Sequence, residues 1–230
     1  MFNRLVCNNF QGRLTCGIDE VHVWRVSTVD QFPHLESLMR FLSMDELSRL
    51  SRLVIPIERD RYIVCRATLR LILSHYLDVT PEKICFTSDT KGKMQLQKKS
   101  SSLDIQFSLS HSGNMALYSI SLKKENGVDV EWIRSDLPSH WIAERFFPAE
   151  EVKYLRQLKG VSFIEGFFQC WTRMEAYIKA LGKGLAGAGK ATNYDRLNWS
   201  LYDLNLCKGY VGSLAIQGHN HRIVYFDLSY

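Results

Sequence analysis

Hydrophobic and polar positions along this chain follow two periods, one of two residues and one close to 3.6, and they divide it into strands and helices. Glu20-Val21-His22-Val23-Trp24-Arg25-Val26 alternates and predicts a strand, preceded by residues 1–17, which show no period and predict a peripheral arm. After a break around Pro33, Phe41-Leu42-Ser43-Met44-Asp45-Glu46 has the form of a helix start, with Ser43 as N-cap and acids in the first turn. Leu47, Leu50 and Leu53 or Val54 then recur at helical spacing, with Arg49 and Arg52 on the other face. Beyond Pro56, Tyr62, Cys65, Leu69, Ile72, Leu73 and Tyr76 form the apolar stripe of a helix over 58–77 whose basic residues are Arg59, Arg61, Arg66 and Arg70. Short strands are predicted at Ile84-Cys85-Phe86 and Met94-Gln95-Leu96, joined by the turn Lys91-Gly92-Lys93. Ile105 to Leu109 predicts a strand ending in Ser110-His111-Ser112-Gly113, and Met115 to Leu122 is apolar enough to be a central strand.

The order then restarts. Val128 to Ile133 predicts a strand, as Val21 to Val26 does; Phe146-Phe147-Pro148-Ala149-Glu150-Glu151 echoes Phe41 to Glu46; and a helix from Phe163 to Leu181 echoes the one over 58–77. Trp199-Ser200-Leu201 and strands to Ile216 and over Ile223–Phe226 echo the first sheet. The expectation is an α/β (α+β) fold, a pseudo-dimer of two similar halves, 1–122 and 123–230, joined near Lys123 to Asn126, with a ligand held between them.

Composition narrows the class. The 230 residues are 46% hydrophobic and 23% charged, and carry a net charge of +5. That mild basicity suits an anionic ligand or an acidic protein partner, whereas no nucleic-acid motif and no apolar run of membrane-spanning length occurs, so neither nucleic acid nor membrane is an expected partner. Cys7, Cys16, Cys65, Cys85, Cys170 and Cys207 form no C-x-x-C pair and follow no secretory signal; they are expected to be small, mostly apolar-surrounded residues of a protein in the reducing cytoplasm.

The candidate chemistry centres on Gly127-Val128-Asp129-Val130-Glu131-Trp132. On a strand, Asp129 and Glu131 project together while Val128, Val130 and Trp132 pack the other way. Two adjacent carboxylates repel unless a positive charge sits between them, and a hard cation such as Mg²⁺ suits them; a solvated strand face is the bland alternative. In Trp171-Thr172-Arg173-Met174-Glu175-Ala176-Tyr177-Ile178-Lys179, Glu175 and Lys179 are four apart on one face of an aromatic-rich helix. A buried Glu and Lys need partners, which a metal and a phosphate would supply. Ser110-His111-Ser112-Gly113 has no G-x-S-x-G elbow around it, and a phosphate-binding or capped turn fits it better than a hydrolase nucleophile. Gly182 to Gly187 matches G-x-G-x-x-G in letters, but it follows a helix instead of a strand, so a helix C-cap and loop are expected. His219-Asn220-His221 predicts a polar hairpin turn in preference to a metal site.

Gly127-Val128-Asp129-Val130-Glu131 followed about forty residues on by Trp171-x-x-x-Glu175-Ala176-x-x-Lys179 resembles the signature pair of Sfp-type 4′-phosphopantetheinyl transferases. Ser110-His111-Ser112 resembles that family's third element and Gly92-Lys93 its G-K-P turn, and the resemblance runs from Val21 to about Gly184. The chain differs from the family pattern in having Met174 where Lys is usual, Met94 in place of the turn's proline, and Ser108 where Asn is frequent.

The resemblance implies Mg²⁺-dependent transfer of the phosphopantetheine arm from coenzyme A to a serine of an apo acyl, peptidyl or aryl carrier protein, releasing adenosine 3′,5′-bisphosphate. It implies that Asp129, Glu131 and Glu175 hold the metal, that Glu175 also accepts the serine proton, and that Lys179 sits on the phosphate under attack. Arg49, Lys93, Ser110 and His111 would surround the nucleotide phosphates, placing the coenzyme contacts in the first half and the metal and catalytic residues in the second. A cytoplasmic monomer is the implied form. The rivals are a non-catalytic coenzyme A or carrier-protein binding module of the same fold and a P-loop nucleotide hydrolase; binding of coenzyme A or of ATP separates the latter.

Overall fold

The structure, a computed structural model, describes residues 13–90, 92–97, 103–137, 139–182 and 194–228. Strand β1 (Glu20–Ser27) leads through a 3₁₀ turn (Val29–His34) into two short helices, α1 (Leu35–Met39) and α2 (Met44–Leu50), and then the long helix α3 (Pro56–Leu77). Helix α2 begins as the sequence predicts: Ser43 Oγ accepts from the Glu46 amide and the Glu46 carboxylate accepts from the Ser43 amide, which satisfies two otherwise orphaned donors. Helix α3 begins two residues earlier than the apolar stripe indicates because Pro56 takes the first helical position, where its missing N–H costs nothing. It ends at Asp78, whose φ of 55° is a left-handed cap.

Strands β2 (Phe86–Ser88) and β3 (Met94–Leu96) form a small ribbon, followed by β4 (Ile105–Ser112) and β5 (Met115–Leu122). The first ribbon strand lies two residues beyond the predicted Ile84–Phe86, because Ile84 is taken into the core beneath α3. The second half runs β6 (Asn126–Trp132), α4 (Ser139–Phe146), α5 (Ala149–Leu155), α6 (Gly160–Ala180), β7 (Trp199–Asp203), β8 (Tyr210–Gln217) and β9 (Arg222–Leu228). Both halves thus order a strand, short helices, one long helix and then strands, as the pattern predicts; α4 was not anticipated.

The strands do not divide as evenly as the sequence does. One sheet has the order β4-β5-β1-β9 and the other β6-β8-β7. The C-terminal strand β9, which the pattern places with the second sheet, instead pairs parallel to β1 of the first, from Glu20↔Arg222 to Val26↔Leu228. His219-Asn220-His221 is accordingly the crossing between sheets and not a hairpin turn: β8 and β9 are not ladder neighbours. His219 is held by Ser200 Oγ and Leu197 O, and His221 by Gln217 O.

The strand edges β4 and β6 meet along a serine seam. Ser108 Oγ accepts from the Val128 amide at 3.1 Å, Ser110 Oγ donates to Asp129 Oδ1 at 2.8 Å, and Ser112 Oγ donates to Glu131 Oε2 at 2.7 Å while accepting from the Trp132 amide at 3.1 Å. Serines two apart face one way, so a single strand supplies all three bridges, two of them to N–H groups of the β6 edge and the middle one to the Asp129 carboxylate. Behind the seam, Val21, Val23, Leu117, Val128, Val130, Leu214 and Ile216 form a core between the two sheets. Trp132, expected to pack with the valines, surfaces at the strand end and is 50% exposed.

The echo between the halves places Glu46 and Glu151 alike, each three residues past its helix cap position and each buried. Their partners differ. Glu46 is ion-paired to Arg66 at 2.6 Å and to Arg70 at 2.8 Å. Arg70, one of the basic residues of its helix, is buried, and its guanidinium donates to Pro81 O and Ile84 O as well. Glu151 has no such pair among the described residues and accepts from Tyr194 Oη through both oxygens, at 3.2 and 3.0 Å. Of the cysteines, Cys65 and Cys170 are buried as expected, but Cys85 and Cys207 are exposed.

Candidate active site

The site forms where β6, β4 and α6 converge, and the closeness of β6 to α6 depends on small residues. A Cβ on Gly127 would overlap the Ala176 carbonyl oxygen and the Ala180 amide nitrogen. Glycine on the strand and alanines four apart on the helix allow the backbones to touch, which puts Glu175 and Lys179 beside the acidic face of β6.

Asp129 is buried there. Its Oδ1 accepts from Lys179 Nζ at 2.7 Å and from Ser110 Oγ at 2.8 Å, and Lys179 Nζ also donates to Ser110 Oγ at 2.8 Å, closing a triangle. Its Oδ2 is buried with no partner among the described residues, and so is Glu175 Oε1. Glu131 is held by Ser112 and, at 3.5 Å, by Arg134, which also reaches Asp136.

Burial pushes the Glu175 carboxyl up to about 7, and the negative charges of Asp129 and Glu131 add to this against Lys179. Glu131 is raised in the same direction, again by burial first and by Asp129. Among the described residues no three His, Cys, Asp or Glu side chains already close around a point where an ion could sit. The donor chemistry nevertheless suits a hard cation: two orphaned buried carboxylate oxygens face a third carboxylate two residues along the same strand, with no sulfur or imidazole ligand involved.

The first-half candidates are not gathered at one point. His111, the residue after Ser110, lies toward Glu58, Arg61 and Lys179; partial burial holds it below the usual histidine range, with Lys179 and Arg61 acting the same way. Arg49 lies over the Tyr62 ring at 5.9 Å and lines an open cleft of about 680 Å³ with Arg66, Phe86 and Gly92. Lys93 is turned elsewhere: its Nζ donates to Glu125 Oε2 at 2.6 Å and to Asn126 O and Ala180 O at 3.2 Å, at the C-terminal end of α6.

Met174, in the position where the resembled family carries Lys, is buried among Phe163, Phe167 and Phe168 and faces the second-half core instead of the site. The residues 183–187 of the glycine run lie outside the described residues. Sequence reasoning missed Ser112 and Arg134 as partners of Glu131. The period-two serines of Ser108-Leu109-Ser110-His111-Ser112 were a legible signal for the first; nothing local marked the second.

With this geometry in view, comparison with known proteins is direct. A family model described as the 4′-phosphopantetheinyl transferase superfamily matches residues 125–220, and one described as the N-terminal part of 4′-phosphopantetheinyl transferase matches residues 24–121. The chain is 39% identical over 175 residues to the 4′-phosphopantetheinyl transferase HetI of Nostoc sp., covering 75% of this chain and 73% of that protein. It is 33% identical to a putative 4′-phosphopantetheinyl transferase of Synechocystis sp., over 76% of this chain and 68% of the relative. It is 30% identical to the 4′-phosphopantetheinyl transferase AcpT of Escherichia coli, over 69% and 74% of the two chains. The chain belongs to the 4′-phosphopantetheinyl transferase family. No helix among the described residues is long and apolar enough to cross a membrane.

Proposed function

We propose that the chain transfers the 4′-phosphopantetheine arm of coenzyme A to a serine hydroxyl of an apo acyl, peptidyl or aryl carrier protein, releasing adenosine 3′,5′-bisphosphate. The observation that carries this reading is Glu175: a buried carboxyl with an oxygen that has no partner among the described residues, beside the Lys179–Asp129 pair. A carboxylate able to accept a proton next to a fixed cation is what in-line transfer to a hydroxyl requires.

Asp129, Glu131 and Glu175 would hold Mg²⁺, which when bound would neutralise charge on the pyrophosphate. Lys179 lies against Asp129 and Ser110, so its ammonium is already directed at the face where an anionic substrate group would lie. Glu175 takes the proton as the serine oxygen attacks the phosphorus bearing the pantetheine arm; the bond from that phosphorus to the adenosine bisphosphate oxygen breaks, and the electron pair leaves with the bisphosphate. Arg49, Lys93, Ser110 and His111 would bind the nucleotide phosphates. For Lys93 this requires exchanging Glu125 for phosphate, and for Ser110 sharing its hydroxyl with Asp129. A monomer in the cytoplasm suffices, since both halves of the site come from one chain.

Mass spectrometry of a purified apo-carrier after incubation with coenzyme A and Mg²⁺ tests this. A mass gain of one phosphopantetheine arm is expected. Tight coenzyme A binding with no gain on acyl, peptidyl or aryl carriers would instead favour a binding module of the same fold.

A further inference from the structure

Besides Glu175 and Lys179 near its C-terminal end, α6 is met in its middle by a second polar cluster. In the β6-β8-β7 sheet, Asp129 stands opposite Ser213, and Ser213 stands opposite Asp203. Side chains in one cross-strand row share a face, so Asp129, Ser213 and Asp203 form a line across three strands, directed at α6. The helix meets each member. Lys179 pairs with Asp129 at 2.7 Å. Thr172 Oγ1 and Ser213 Oγ are 2.9 Å apart, and Gln169 Nε2 donates to Ser213 Oγ at 3.0 Å and to Asp203 Oδ1 at 2.9 Å. Arg173 binds Asp203 through two nitrogens, Nε at 2.7 Å.

We infer that Thr172, Arg173, Ser213 and Asp203 are positioning residues for the transfer, a register lock that sets the height and rotation of α6 against the row containing Asp129. Ser213 and Thr172 are fully buried, so their hydroxyls cannot exchange to water, and Ser213 is the immediate ladder neighbour of Asp129. Thr172 is one helical turn before Glu175, so a shift felt at Thr172 is passed to Glu175 through continuous helix. The forked guanidinium–carboxylate geometry of Arg173 and Asp203 fixes direction as well as distance. The close backbone approach of Gly127 to Ala176 and Ala180 sets the distance between strand and helix but supplies no side-chain hydrogen bond to fix the register. The inference rests on the transferase reading above.

The test uses Arg173→Leu, Arg173→Lys and Ser213→Ala in the full chain, with two readouts. In steady-state transfer, kcat should fall about tenfold and KM for coenzyme A should rise by less than that, since a displacement under 1 Å is costly in rate, and of the proposed nucleotide contacts Arg49 lies away from α6 while Ser110 and Lys93 touch it. Arg173→Lys keeps the charge but loses the fork and should retain most of the deficit. In amide hydrogen exchange without substrate, residues 174–180 should exchange faster in Arg173→Leu and Ser213→Ala. Unchanged kcat with only a lower Tm, or a loss carried by KM, would overturn the lock. If the wild-type chain transfers nothing, the functional reading fails on its own; the exchange readout then decides the lock, and unaltered exchange over 174–180 would overturn it.

Discussion

Gly127 lies so close beneath Ala176 that the strand and the helix share a backbone contact with no side chain between them. This approach brings Asp129, two residues on, within 2.7 Å of Lys179, three residues on from Ala176. Packing and chemistry therefore depend on the same pair, and the first prediction follows. Gly127→Ala should destabilise by about 1–3 kcal/mol, the usual cost of overpacking, or more, because backbone on α6 must move. Activity should fall further than the remaining folded fraction accounts for. Urea denaturation alongside specific activity checks this; normal turnover in the variant would show that the contact does not set the site.

Glu175→Gln keeps size and one hydrogen-bonding oxygen but loses the proton acceptor and the charge. Its single-turnover transfer rate at saturating coenzyme A should fall by about 10²-fold or more, the range of general base catalysis. Coenzyme A affinity, measured by calorimetry, should change little. Lys179→Ala should also lose rate, and raising the pH should not restore it, because a fixed positive charge is missing and not a deprotonated base. A Glu175→Gln rate within a few-fold of wild type would remove the base role.

Lys93→Met separates two roles for one cation. With its ammonium on Glu125 and on two carbonyl oxygens at the end of α6, the substitution should destabilise the free protein by about 1–2 kcal/mol. It should weaken coenzyme A binding only to the extent that phosphate replaces Glu125. Unaltered urea midpoint with a large loss of coenzyme A affinity would make Lys93 a phosphate ligand first.

Glu151 provides a pH signature. Burial lifts its carboxyl from 4.5 to about 7, so the folded protein holds that proton more tightly than the unfolded chain does. Its contribution is fully present below about pH 4.5 and is lost as pH rises through about 7. Glu151→Gln, which stays neutral, should leave stability near wild type at pH 5 and raise it at pH 8 by on the order of 1–3 kcal/mol. Thermal unfolding at the two pH values reads this. Equal Tm differences at both would show that Glu151 is ionised in the fold.

The sequence alone determined the local chemistry and the order of elements. Period-two alternation around Asp129 and Glu131, helical spacing of Glu175 and Lys179, the Ser43 N-cap and the restart of the pattern after residue 122 are all short-range, and short-range periodicity is visible in a linear chain. Four features were decided by tertiary structure, because each depends on which distant segment arrives as partner. The parallel pairing of β9 with β1 joins residues about two hundred apart and leaves no local mark. Arg70 is buried because Glu46 and two carbonyl oxygens converge on it, although its helix position alone suggests a solvent-facing cation. Likewise Lys93 meets the end of α6 and Glu125, and Ser213 becomes the neighbour of Asp129, only once β6, β8 and α6 have packed; charge and hydrogen-bond capacity are written in the residue, but the partner that uses them is set by the fold.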